Sequence, residues 1–146
     1  MENDWHESFL DTLEKYLQKQ QGYKIRNSNR ERLYLPDKPL IKRTEILSNP
    51  DIILVNRENG NIDFIFEVEY QINYKKIVGI AILTDMALRQ MNPNYSSKLI
   101  LITKEHFPNS ELIQREIQAY TKNIQFHLTD SHNFDKILGK QILKTN

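Results

Sequence analysis

Apolar residues Trp5, Phe9, Leu13, Tyr16 and Leu17 recur at the spacing of one helix face, and Asp4 with Glu7 three places on has the form of a capping box. With Gly22 as the stop, the pattern predicts a first helix over about residues 5–21. From Tyr23 to Pro50 polarity is mixed and prolines interrupt, so residues 32–35 and residues 40–46 both stay open as a first strand. Clarity returns at residues 51–56 and 62–69, two apolar-rich runs around Asn59-Gly60, which predict a β-hairpin. A second helix follows over about 74–90, with Ile77, Ile80, Ala81, Thr84 and Leu88 on one face and Asn92-Pro93 as its stop. Gly79 inside that helix costs roughly 1 kcal/mol against alanine, which suggests a close backbone approach to the sheet. The run 99–102 shows no alternation and predicts a central strand covered on both faces in a parallel part of the sheet. A helix over about 110–120, a strand at 124–128 and a last helix marked by Phe134, Ile137, Leu138 and Ile142 complete the chain. The alternating order predicts an α/β fold with one domain over residues 1–146.

Size and composition narrow the chemistry. A chain of 146 residues can bury roughly 68–70% of its unfolded surface, so a core needs no staples. There is no cysteine, which excludes disulfides and thiolate metal sites; any metal must sit on oxygen or imidazole. Nothing at the N-terminus reads as a signal peptide and no apolar run nears the roughly 20 residues of a spanning helix, so the expectation is a soluble, cytoplasmic protein without membrane partners. The net charge of +1 hides an asymmetry. Residues 19–43 carry eight basic side chains against two acids, whereas residues 44–72 carry six acids against Arg57 alone. Cations beside carboxylates suit a metal-dependent enzyme for a polyanion, although two solvated loops would look the same by charge alone.

Strand alternation sharpens the acidic block. Phe64, Phe66 and Val68 share one face of the second hairpin strand, and Ile65, Glu67, Glu69 and Gln71 share the other. A two-residue turn would set Asp51 opposite Val68. A three-residue loop, Glu58-Asn59-Gly60, with Gly60 left-handed and Arg57 paired with Asn61, instead sets Ile53 against Ile65, Leu54 against Phe64, Ile52 against Phe66 and Asp51 against Glu67. That register matches apolar with apolar and is preferred. It gathers Asp51, Glu67 and Glu69, which repel unless a cation, protonation or solvent intervenes. Mg²⁺ (or Mn²⁺) suits such an oxygen set.

The string Pro50-Asp51, a strand, a tight hairpin, then Glu67-Val68-Glu69 followed at once by a helix, resembles the signature of the PD-(D/E)XK nuclease superfamily over roughly residues 5–130. The resemblance implies a restriction endonuclease-like three-layer α/β/α sandwich with a central mixed sheet, and metal-dependent phosphodiester cleavage with Asp51 and Glu67 as metal ligands. Glu69 departs from the pattern, which has lysine there to steady the attacking water. Some restriction enzymes of the superfamily carry glutamate at this place, as ligand or base, and others move the lysine to the following helix. Lys76 is the candidate here, because its position borders the apolar face through Leu83 and Ala87 while Lys75 points away. Glu7 falls where several members place a further acidic ligand on the first helix, and a capping role explains it equally well.

The expected function is a divalent-metal-dependent endonuclease that hydrolyses phosphodiester bonds of DNA. Asp51, Glu67, Glu69 and Lys76 are its catalytic candidates, and Glu7 joins the three carboxylates as a metal-ligand candidate. Arg26, Arg30, Arg32, Lys42, Arg43 and Gln71 are candidate contacts to nucleic acid. No separate recognition domain fits in this length, which favours a homodimer. The alternative is an inactive module of the same fold that binds nucleic acid or a protein partner. His6 reads as packed or partly exposed rather than catalytic, and His106, His127 and His132 have no partner at metal-ligand spacing.

Overall fold

The computed structural model describes residues 2–20, 22–27, 50–91, 94 and 96–139. Elements run α1 (Glu2–Leu17), β1 (Tyr23–Asn27), β2 (Ile52–Asn56), β3 (Ile62–Glu69), α2 (Tyr74–Met91), β4 (Ser97–Thr103), α3 (Ser110–Gln118), β5 (Ile124–Asp130) and α4 (Phe134–Ile137). The five strands form one mixed sheet in the order β1-β2-β3-β4-β5. β1, β2 and β3 are antiparallel neighbours, and β3, β4 and β5 run parallel, each parallel step spanned by a helix.

Helices lie on both faces, which gives two separate cores. Leu10, Leu13 and Leu17 of α1 pack with Ile52, Leu54, Phe64, Phe66, Ile100 and Phe134 on one side. Ile77, Ala81 and Leu88 of α2 and Ile113 and Ile117 of α3 pack with Ile53, Ile65, Leu99, Leu101 and Phe126 on the other. The unbroken apolar run of β4 follows directly: Leu99 and Leu101 feed one core, and Ile100 and Ile102 the other. β4 lies in the parallel part and is covered on both faces as expected, but it is not the central strand: in the five-stranded order that place belongs to β3. Among the described residues, no helix is long and apolar enough to cross a membrane.

The apolar register of the hairpin is the one chosen by matching partners: Ile52 faces Phe66, Ile53 faces Ile65 and Leu54 faces Phe64. Its loop is longer than expected. Asn56, not Arg57, closes the turn, donating its N–H to Asn61 O at 2.8 Å, while Gly60 donates to Asn56 O at 2.9 Å. The side chain of Asn56 explains this, because its Oδ1 accepts the N–H of Glu58 at 2.9 Å and its Nδ2 donates to Asp63 at 3.0 Å. Gly60 is left-handed at φ 74, as a tight hairpin requires. The register then shifts, with Val55 opposite Ile62, so one extra residue in β3 restores the apolar pairing. Ser97 Oγ donates to Ile62 O at this irregularity.

Other expectations change. α1 begins at Glu2, so Asp4 and Glu7 lie within the helix and form no capping box; Glu2 and Asp4 instead place negative charge in its first turn. The first strand is Tyr23–Asn27, and the alternatives at 32–35 and 40–46 lie outside the described residues, as does Ile142. Gly79 makes no close approach to the sheet, since a Cβ built there meets no atom within 4 Å. Gly79→Ala is therefore expected to stabilise the protein by about 0.5–1 kcal/mol in urea unfolding, through helix propensity alone.

Candidate functional site

Asp51 sits just ahead of β2, where its own N–H donates to Phe66 O at 3.0 Å and prolongs the hairpin ladder by one step. At the next step its side chain replaces the main chain: Val68 donates its N–H to Asp51 Oδ2 at 2.7 Å. The carboxylate is thus pinned at the strand end, 6% exposed. Glu67 lies on β3 two places after Ile65, on the α2 side, and is 9% exposed. Among the described residues its carboxylate has no hydrogen-bond or ion-pair partner. Burial pushes the Glu67 carboxyl well above the usual range; the charges of Asp51 and then Glu69 push the same way, and Lys76 opposes them weakly.

Glu69, half-buried at the end of β3, accepts a hydrogen bond from Lys76 Nζ at 2.7 Å. The lysine comes from the first turn of α2, which Asn73 caps by accepting the Lys76 N–H at 2.8 Å on Oδ1. Lys76 is raised by that bond to Glu69; burial opposes the rise, and the charges of Glu69, Glu67 and Glu2 add to it. Lys76 of this helix thus reaches one of the three carboxylates, Glu69.

His6 is a neighbour that its sequence context did not reveal. Its Nε2 stands 3.5 Å from Asp51 Oδ2 and its Nδ1 3.6 Å from Glu7 Oε2. Hydrogen bonding to Asp51 raises its pKa first, burial opposes, and the charges of Asp51 and Glu7 add. Glu7 is exposed and turned to His6, and it is not among the charges that raise Glu67. No spacing rule joins residue 6 to residue 51; only the packing of α1 on the hairpin does.

Among the described residues, no three His, Asp or Glu side chains stand close enough as placed to enclose a metal ion. Chemically, Asp51 and Glu67 fit a hard divalent cation: both are carboxylates, one fixed just ahead of β2 by the Val68 N–H and one on β3, buried and without a partner among the described residues. Glu69 is committed to Lys76 and Glu7 to His6. Arg30, Arg32, Lys42 and Arg43 lie outside the described residues, and Arg26 falls on β1 opposite Ile53. Gln71 is exposed and lines an open cleft of about 580 Å³ that Lys76 also borders. Two further buried acids, Asp85 and Asp130, accept main-chain N–H bonds; Asp130 Oδ1 takes those of His132 and Asn133. No known protein family, curated protein or solved structure matches this chain.

Proposed function

We propose that the protein is a divalent-metal-dependent endonuclease acting on DNA, with a restriction endonuclease-like three-layer core. The observation that carries this reading is Glu67: a strand-borne carboxylate, buried, without a hydrogen bond among the described residues, and raised first by burial and then by two neighbouring carboxylates. Such a group costs stability wherever it is ionised, and a divalent cation is the partner that removes the cost. Asp51 and Glu67 would hold Mg²⁺ or Mn²⁺, which would polarise the scissile phosphate and acidify a water. The chain supplies the orientation. Val68 fixes Asp51 through its N–H, and His6 stands behind Asp51 from α1. Lys76 brings one positive charge to the rim, where it pairs with Glu69 and stands near the phosphate's approach.

A second reading has its own support. Lys76 is tied to Glu69 at 2.7 Å, and a paired ammonium is less available to steady an attacking water than a free one. In that case the fold binds nucleic acid or a protein without cutting. The two separate on incubation with plasmid and single-stranded DNA in Mg²⁺ or Mn²⁺. The first reading expects cuts that Asp51→Asn abolishes, because the amide gives up the charge while it preserves the shape. DNA binding that ignores metal, with every substrate left whole, belongs to the second.

A further inference from the structure

The cleft of about 580 Å³ beside Lys76 has no role in holding a metal, yet it lies where ligands of parallel sheets bind. It opens past the carboxyl ends of β3 and β4, between the start of α2 and the loop after β4, with Tyr70, Thr103 and Lys76 on its border. Its size falls within the ordinary range for small-molecule sites, roughly 300–1,000 Å³. We propose that it holds an unpaired nucleobase next to the phosphate at the Asp51–Glu67 pair, so that the substrate is DNA with single-stranded nucleotides rather than continuous duplex. The inference rests on the nuclease reading for its phosphate and on the cleft for its base.

The lining favours a base over other ligands. Ile72 and Phe107 are apolar walls that also pack against the α2-side core, so they are fixed in place before any ligand arrives. An aromatic face in a rigid wall is what base stacking uses, and stacking tolerates any base. Gln71 stands exposed at the mouth, and among the described residues its amide makes no hydrogen bond, so its donor and acceptor remain for the edge of a heterocycle. Charge argues against a phosphate-rich ligand. Lys76 already serves Glu69, and Glu105 brings a carboxylate that meets His132 Nε2 at 3.1 Å. A base in a duplex has both faces stacked and its edge paired, so only an unpaired or extruded one offers what this cleft reads.

The test uses the full chain and fluorescence anisotropy with three probes of equal length: an oligothymidine strand, the same strand with every base removed, and a blunt duplex. The base-bearing strand should bind about 10-fold tighter than the abasic strand. Phe107→Leu, which keeps the apolar packing and removes the aromatic face, should bring that ratio close to one while abasic binding holds. Equal affinity for the two strands, or a ratio that Phe107→Leu leaves intact, overturns the proposal. Cleavage in Mn²⁺ separates the two claims. Cuts that Asp51→Asn abolishes, together with no base preference, remove the cleft assignment alone; a base preference without cuts removes the metal reading and keeps the cleft. No binding to any probe removes both.

Discussion

On the proposed nuclease reading, Glu67→Gln should raise the melting temperature of the metal-free protein at neutral pH while it removes DNA cleavage. The side chain is buried, and its carboxyl is held well above the usual range first by desolvation and then by Asp51 and Glu69. At pH 7 the folded chain therefore carries either a reluctantly ionised carboxylate or one that has had to take up a proton, whereas the unfolded chain solvates the carboxylate freely. Folding is linked to proton uptake at such a site: its contribution is most favourable below the unfolded pKa and is lost as pH rises through the higher folded value. Glutamine keeps the shape and removes the charge. The gain is on the order of 1–2 kcal/mol, roughly 3–8 °C at this chain length. The difference between wild type and variant should shrink toward acid, where the wild-type carboxyl is protonated. His6 is also raised and gives a slope of the same sign, but it is present in both proteins and cancels in the comparison.

The same substitution tests the metal. Mg²⁺ or Mn²⁺ at about 100 times its dissociation constant should stabilise wild type by about 2.7 kcal/mol and leave Glu67→Gln nearly unmoved. Cleavage should fall on the order of 100-fold or more, since a ligand facing the developing charge is lost. Differential scanning fluorimetry across pH, with and without metal, reads the stability claims in one experiment. A variant less stable than wild type at neutral pH would mean that Glu67 is satisfied as a carboxylate, and the reading built on it would fail.

What could be read from the residues, and what could not, divides by the range of the interaction. The register of β2 on β3 was legible because only one alignment sets Ile52, Ile53 and Leu54 against Phe66, Ile65 and Phe64. The loop length was not, because Asn56 rebuilds the turn with its side chain, and an extra residue in β3 then absorbs the difference. β1 carried a short alternation, Tyr23 and Ile25 inward, too brief to stand out from its polar surroundings. The approach of Lys76 to Glu69 was legible from one turn of helix after a strand. His6 on Asp51 was not, since 45 positions separate them and only α1 packing joins them. Asp85 did leave a signal that went unread: it interrupts the buried stripe of α2 between Ala81 and Leu88, and a carboxylate there must have partners.

Those partners make Asp85→Ala a strongly destabilising change. Asp85 is 1% exposed, and its Oδ1 accepts the N–H groups of Lys122, Asn123 and Ile124, while Arg89 donates to Oδ2 at 2.7 Å. It fastens the turn between α3 and β5 to the middle of α2, across 37 to 39 positions of sequence. Truncation leaves three main-chain donors without their acceptor, those of Asn123 and Ile124 buried, and Arg89 without its anion. Each buried orphan costs about 1–3 kcal/mol, partly relieved by relaxation, so the loss should be about 3–5 kcal/mol. Against a total of about 5–15 kcal/mol, that could leave the fold marginal at 37 °C. Asp85→Asn keeps an acceptor oxygen for the turn and should cost less than half as much. Arg89→Ala should cost less than Asp85→Ala, because the guanidinium is half-exposed and the three N–H bonds survive. Guanidinium unfolding of the three variants orders them directly. Because Asp85 joins the start of β5, whereas the carboxylates and the cleft lie at the carboxyl ends of the parallel strands, the proposed DNA binding should be unchanged at low temperature wherever the variant remains folded. A rank order with Arg89→Ala worst would place the stabilising role in the ion pair instead of the main-chain turn.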